Sequence, residues 1–351
     1  MNEVYIVDTA THFPQSYNNN DIVAALYKRG TQDEAALKLA KKLAVNSKIK
    51  SRNISVKLEK LPLKVIPPEN APIHWLKELT KKITTNADLS KIKFVSLSYN
   101  ISSHQDVIPT LVSKYIKEAN ITTDFPPEEI VNYGCASAIF SLASAYSYCK
   151  NHSAHALVFS FEQSSWIFNP IKDTKNANFK SSLRGHTIFG DGSAGLLLAS
   201  GEIAKYHQKK IKLIDMILDF TPGDEIKKIK EDFLVGRTIA KIMPPMVKDK
   251  LIAPLLRRNN LNIADVAQWC IHQGSHKILD QFEDPNILNL TKNQTSESHL
   301  CFSQYGNISS PSCLAVLDSY FHKDHNYKNE YGIILGFGAG YYLGAVLYQW
   351  Q

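Results

Sequence analysis

The sequence predicts an α/β protein in which helices are layered on mostly parallel, buried sheets, and three observations carry that expectation. Short runs rich in β-branched and aromatic residues alternate with helical patterns along the whole chain. Several of these runs are apolar at nearly every position, which is how a strand reads when both faces of its sheet are covered. The second half also repeats the order of the first in outline, which argues for layers of helix and sheet. A pure β-sandwich or a helical bundle fits none of the three.

The strands are expected, in order, at VYIVDTA (4–10), KFVSLSY (93–99), EIVNY (129–133), ALVFSF (156–161), GLLLAS (195–200), KLIDMILDF (212–220), QWCIHQ (268–273), YGIILGFG (331–338) and the terminal YYLGAVLYQW. Between them, CASAIFSLASAYSYCK at 135–150 is dense in Ala, Ser and Leu and reads as a tightly packed central helix. MPPMVKDKLIAPLLRR at 243–258 reads as a helix entered through Pro244 and Pro245. Segment 37–68, lysine-rich and ending in VIPP, reads as a surface helix followed by a long excursion.

Bulk properties narrow the class. A chain of 351 residues, 44% hydrophobic and 21% charged, can bury one large core or two fused halves and is too apolar for disorder. The first dozen residues lack the basic head and apolar core of a signal peptide, so a cytoplasmic location is expected. Charged, polar or Pro residues break every long apolar stretch before it reaches the roughly 18 residues a membrane helix needs. Five cysteines without a CxxC pair fit neither a disulfide framework nor a zinc knuckle. The formal charge of +7 suits an acidic carrier or a phosphate-bearing thioester as well as a nucleic acid, and no nucleic-acid motif accompanies it.

Four places can carry chemistry. Cys135 in VNYGCASA follows a strand and a turn glycine at a helix start, where free N–H groups and the helix dipole favour a thiolate; the alternative is a buried, inert thiol. His272 in QWCIHQGSHKIL ends a short strand, where α/β folds place their sites, and His276 is its rival one turn on. Asn307 in SQYGNISSPSC can hold a carbonyl oxygen without titrating, or simply cap the next helix. GFGAGYYLGAVL at 336–347 can aim backbone N–H groups at an oxyanion, or merely turn. Glu162 after its strand reads as structural, and Asp191 in FGDG as a carboxylate bonding local backbone; no metal cluster is apparent.

Together and in this order these landmarks resemble the β-ketoacyl-[acyl-carrier-protein] synthase III family of thiolase-fold condensing enzymes. The correspondence runs through Cys135, FGDGSAGLLLAS at 189–200, His272-Gln273, Gly306-Asn307 and Gly336-Phe337-Gly338, with Arg184-Gly185 and Asn20-Asp21 adding to it. Where the family has HQAN and then arginine, this chain has HQGS and Lys277, and Ala339 replaces a common glycine. Between Arg52 and the strand at 93 the match is poor.

The resemblance implies a thiolase-like fold of two pseudo-repeated βαβ halves, 1–200 and 201–351, in an α-β-α-β-α arrangement. It implies Cys135 as acyl-accepting nucleophile, His272 and Asn307 as partners in decarboxylative condensation, and the N–H groups of Cys135 and Ala339 as the oxyanion hole. Arg52, Arg184 and Lys277 become candidate substrate or carrier contacts. The expected partners are acyl-CoA, an acyl carrier protein and a second copy of the chain, without nucleic acid, membrane, cofactor or metal. Ester- or amide-forming acyl transfer without loss of carbon dioxide, or a place in a heterodimeric synthase, are the alternatives on the same fold.

Overall fold

The computed structural model describes residues 2–28, 34–60, 66–84, 89–104, 108–229 and 232–351. Its strands are β1 (Val4–His12), β2 (Ser16–Asn18), β3 (Ser51–Asn53), β4 (Ile92–Tyr99), β5 (Glu128–Val131), β6 (His155–Gln163), β7 (Asp191–Ser200), β8 (Ile211–Phe220), β9 (Ile226–Ile229), β10 (Asp232–Val235), β11 (Val266–Ile271), β12 (Tyr331–Phe337) and β13 (Tyr342–Trp350). The α-helices are α1 (Asn19–Lys28), α2 (Glu34–Asn46), α3 (Pro72–Ile83), α4 (Leu111–Ala119), α5 (Ser137–Asn151), α6 (Phe179–Ile188), α7 (Gly201–Ala204), α8 (Ile239–Val247), α9 (Ala253–Arg258), α10 (His276–Phe282), α11 (Lys292–Tyr305) and α12 (Ser312–Phe321).

Each apolar run expected as a strand enters one nine-stranded sheet, ordered β11-β12-β13-β8-β1-β7-β6-β4-β5. The sheet is two halves joined at a narrow seam, where β1 meets β8 only through Tyr5 opposite Lys212 and Ile6 opposite Ile211. It folds around two buried helices. Helix α5 lies between β4, β6 and β7 on one side and β12 and β13 on the other, while α12 lies against β1 and β7 and against β11 and β12.

Period-two alternation shows how both faces are used. In β7, Leu196 and Leu198 join α5 and α12 in the middle layer, with Ala138, Leu142, Leu314 and Leu317, while Leu197 and Ala199 face outward to Trp75, Leu76 and Leu79 of α3. The other half of the sheet follows the same rule: Trp269, Ile333, Leu335 and Ala345 meet Met243, Leu255 and Leu279 of the outer helices. Each fully buried Leu contributes roughly 2 kcal/mol of transfer free energy, so the strands are apolar throughout because five layers bury both faces. Ala and Ser along α5 let two sheet halves approach one helix.

Two expectations are corrected. The sheet is mixed: only β4–β5, β4–β6 and β11–β12 pair in parallel, and the remaining pairings are antiparallel. Apolar strands report that both faces are covered, and direction leaves no mark on that pattern. The helix expected to start at Pro244 begins at Ile239, carries Pro244 and Pro245 inside α8, and continues through a π-helical turn at Lys248–Ile252 into α9. Burial of Ile239, Met243 and Val247 outweighs the missing proline N–H groups. In segment 37–68, α2 buries Ala36, Ala40 and Ala44, and residues 61–65 lie outside those described. No helix among the described residues is long and apolar enough to cross a membrane.

Candidate active site

Parallel pairs end together, and the candidate residues sit where they end. Strand β5 leads through Asn132 and Tyr133 into a 3-10 turn, Gly134–Ala136, that holds Cys135 just ahead of α5. Gly134 has φ 55, and a Cβ on it would lie 2.5 Å from the Ala339 nitrogen. A Cβ on Gly338 would lie 2.2 Å from the Cys135 nitrogen. The GFG turn between β12 and β13 is thus pressed against the cysteine turn, bringing the backbone of Cys135 and Ala339 side by side in a way that only glycine at 134 and 338 allows.

His272 follows β11, its N–H donating to the Leu335 carbonyl at 2.8 Å, and its ring meets Phe337 edge-on at 5.2 Å. The Nδ1 atom is 2.6 Å from the Ser312 hydroxyl. Asn307 is set by the FGDG segment: its N–H donates to Ile188, and its carbonyl accepts from Gly190. Its Nδ2 donates to the Gly274 carbonyl at 3.4 Å, and a Cβ on Gly274 would lie 3.7 Å from His272 Nε2. The imidazole and the amide therefore share one turn. Ser309, just ahead of α12, ties them to the cysteine, donating its hydroxyl to Cys135 Sγ at 3.3 Å and its N–H to Asn307 Oδ1 at 2.8 Å.

Burial dominates the electrostatics. Cys135 is pushed up to about 12 by desolvation, with the Ser309 hydroxyl opposing and the Glu162 carboxyl adding to the rise. The expected thiolate is thus a thiol in the resting site, because the cost of burying the charge outweighs the field of the first turn. His272 is lowered to about 3 by the same desolvation, against a hydrogen bond to the Ser309 carbonyl, and is neutral.

Glu162 lies fully buried near Cys135 and is raised to about 7 by desolvation. It accepts from Asn100 Nδ2 at 2.5 Å, from the N–H of Asn100 and Ile101, and from Ser310, while Asn100 Nδ2 also reaches the Gly134 carbonyl at 3.0 Å. The carboxyl thus braces the cysteine turn. Asp191 accepts from the N–H and hydroxyl of both Ser55 and Ser165, the backbone-bonding role its Gly-flanked setting implies.

The remaining candidates are not brought to the cysteine. Arg52 is a correction: it is fully buried, donating Nε to Asn19 Oδ1 at 2.7 Å and Nη1 to the His186 and Phe189 carbonyls. It ties β3 to α1 and α6 and meets no substrate surface. Arg184 donates to the Val235 carbonyl and to Ser181, so its guanidinium braces α6 against β10. Lys277 is exposed on the first turn of α10, and His276 is half-buried beside it. Sequence reading passed over Ser309, Ser312 and Asn100; the Ser-Ser-Pro-Ser run after Asn307 was the available signal, and it reads equally well as a helix start. At the far end of α10, the donor atoms of Asp280, Glu283 and His299 lie within 4.8 Å of one another, a grouping spacing cannot show because His299 comes from α11.

The chain is similar to known proteins over most of its length. Residues 256–350 match the family model of the 3-oxoacyl-[acyl-carrier-protein] synthase III C-terminal region. A putative chalcone synthase of Bacillus subtilis is 27% identical over 270 residues, 73% of this chain and 71% of that protein. An alpha-pyrone synthesis polyketide synthase-like protein, Pks18, of Mycobacterium tuberculosis is 25% identical over 63% of this chain, and the match spans 56% of that protein. The crystal structure of PKS-I from the brown alga Ectocarpus siliculosus superposes with a TM-score of 0.83 at 20% identity, covering 99% of this chain and 98% of that one. The chain thus shares the fold of the type III polyketide synthases, and in sequence it is similar to 3-oxoacyl-[acyl-carrier-protein] synthase III over residues 256–350 and to a putative chalcone synthase over most of its length.

Proposed function

We propose that the chain joins an acyl group carried on Cys135 to a malonyl-type thioester with loss of carbon dioxide, in the synthesis of a polyketide-like specialised metabolite or a fatty acid. The observation that supports this reading most directly is the convergence of Cys135, His272 and Asn307 through Ser309 and Ser312. Coenzyme A or an acyl carrier protein delivers each partner, and the residues present supply the chemistry without a cofactor.

In the first half-reaction the Cys135 proton passes to His272 Nε2 and the thiolate attacks the acyl thioester carbon. The N–H groups of Cys135 and Ala339 hold the tetrahedral oxyanion until the carbon–sulfur bond to the carrier breaks and the carrier leaves as a thiolate that takes a proton from solvent, while Nε2 keeps the one it gained. In the second, the malonyl carboxylate leaves as carbon dioxide and its electron pair forms an enolate whose oxygen accepts from His272 Nε2 and Asn307 Nδ2. The enolate carbon attacks the acyl-cysteine carbonyl, a carbon–carbon bond forms, and Cys135 leaves as thiolate to be reprotonated. The Ser312 hydroxyl donates to the Ser309 carbonyl and so accepts from Nδ1–H, which leaves Nε2 unprotonated to act as base first and, with the proton it gains, as donor afterwards.

A homodimer is part of the same proposal. Strand β5 forms one edge of the sheet ahead of Cys135, and Phe125 and Tyr133, on either side of it in the chain, are exposed. An open edge with apolar surface is what a second copy covers.

The test is intact-protein mass spectrometry with a panel of acyl-CoA thioesters, followed by carbon dioxide trapping from malonyl-CoA. An acyl-sized gain that disappears in Cys135→Ala, with release of carbon dioxide, is expected. Acyl transfer to an added alcohol or amine without carbon dioxide would refute condensation, and no mass gain from either CoA or carrier-bound donors would refute the nucleophile.

A further inference from the structure

We propose that Ser309 is a positioning residue that holds the Cys135 sulfur, the His272 imidazole and the Asn307 amide in one shared arrangement. The inference rests on the roles proposed above for those three residues. Ser309 is buried and has φ 57, a left-handed conformation in which glycine is the unstrained choice.

Each polar group of Ser309 is directed at a different partner. The hydroxyl donates to Cys135 Sγ at 3.3 Å, so it stabilises negative charge on the sulfur. The N–H donates to Asn307 Oδ1 at 2.8 Å, which fixes the amide so that Nδ2, and not Oδ1, is turned toward the carbonyl of Gly274, two residues after His272. The carbonyl accepts from the Ser312 N–H at 3.2 Å and from the Ser312 hydroxyl, and that hydroxyl holds His272 Nδ1 at 2.6 Å. An extended or right-handed residue would send N–H and C=O in other directions; the left-handed turn lets one residue address all three. The titratable groups that act on the sulfur are Glu162 at the end of β6 and Cys313 in α12, and the hydroxyl that donates to it is that of Ser309.

The side chain and the backbone of Ser309 therefore have separable roles, and one substitution separates them. Ser309→Gly keeps the left-handed turn, its N–H and its carbonyl, and removes only the hydroxyl. Cys135 alkylation by iodoacetamide is followed against pH by peptide mass spectrometry, and malonyl-CoA decarboxylation is measured in parallel. The expected result is a Cys135 pH profile moved upward, with alkylation about tenfold slower at a fixed pH, because a hydrogen bond to a charged acceptor is lost. Decarboxylation should fall by less than alkylation does, since the backbone anchors of His272 and Asn307 remain.

Ser309→Ala, which keeps the Cβ, should show the same displaced profile if the turn of the glycine variant were to relax. A wild-type alkylation profile in either folded variant overturns the proposal, as does a merely lower melting temperature with the profile unmoved. Alkylation needs no acyl donor, so it reads the Ser309 contact even if the chain fails to condense malonyl units.

Discussion

Replacing Asn307 by Asp separates binding from condensation with almost no change of shape. Oδ1 of an aspartate still accepts the Ser309 N–H that Asn307 holds at 2.8 Å, so the turn is kept. What disappears is the Nδ2 donor that faces the Gly274 carbonyl, and with it one of the two hydrogen bonds proposed to hold the enolate oxygen. Loss of one such preorganised donor costs about 3 to 4 kcal/mol in the transition state, or roughly a hundred- to a thousandfold in rate. The added negative charge near a developing enolate pushes in the same direction. Asn307→Ala should lose a similar factor and also leave the buried Ser309 N–H without its acceptor, costing roughly 1–3 kcal/mol more in folding stability. The assay pairs acyl-enzyme formation by intact mass with carbon dioxide release from malonyl-CoA and urea unfolding. Acylation should survive in Asn307→Asp while condensation falls. Equal loss of both half-reactions, or condensation within threefold of wild type, would refute the assigned donor.

Other outcomes follow from the same contacts. Gly338→Ala would place a Cβ 2.2 Å from the Cys135 nitrogen, so it should abolish acylation and lower the melting temperature; full acylation in that variant would contradict the packed oxyanion turn. Arg52→Met strips donors from Asn19 Oδ1 and from the His186 and Phe189 carbonyls, and should cost about 3 kcal/mol or more in urea unfolding without a specific rise in KM. A stable variant with raised KM would restore Arg52 as a substrate contact. His322 is raised to about 9, chiefly by its hydrogen bond to Asp318. Its contribution is therefore complete below about 6.5, the unfolded value, and lost as pH rises through about 9. With 57% of the side chain exposed, screening limits it to about 1 kcal/mol, so His322→Asn should lower the melting temperature at pH 6 and hardly at pH 10. A difference that grew with pH would reverse the sign and sink the assignment.

By itself the sequence determined the layered α/β class, the places of all nine sheet strands, and the three residues proposed to do the chemistry, because periodicity, glycine turns and motif order are local. Cys135, His272 and Asn307 are each marked by a strand or helix ending beside them, which spacing reveals. Strand direction was not legible, since an apolar strand reads the same whether its neighbour runs with it or against it. Nor was the use of a charged side chain: Arg52 has the composition of a surface contact, and only the packing of β3 against α1 and α6 shows that its guanidinium is bonded inside the protein. The protonation of Cys135 is likewise a tertiary property, because desolvation by the surrounding layers outweighs the local helix start. The coupling through Ser309 and Ser312 was decided last of all, since a hydroxyl carries no periodic signal and its partner is chosen by whichever distant strand end the fold sets beside it.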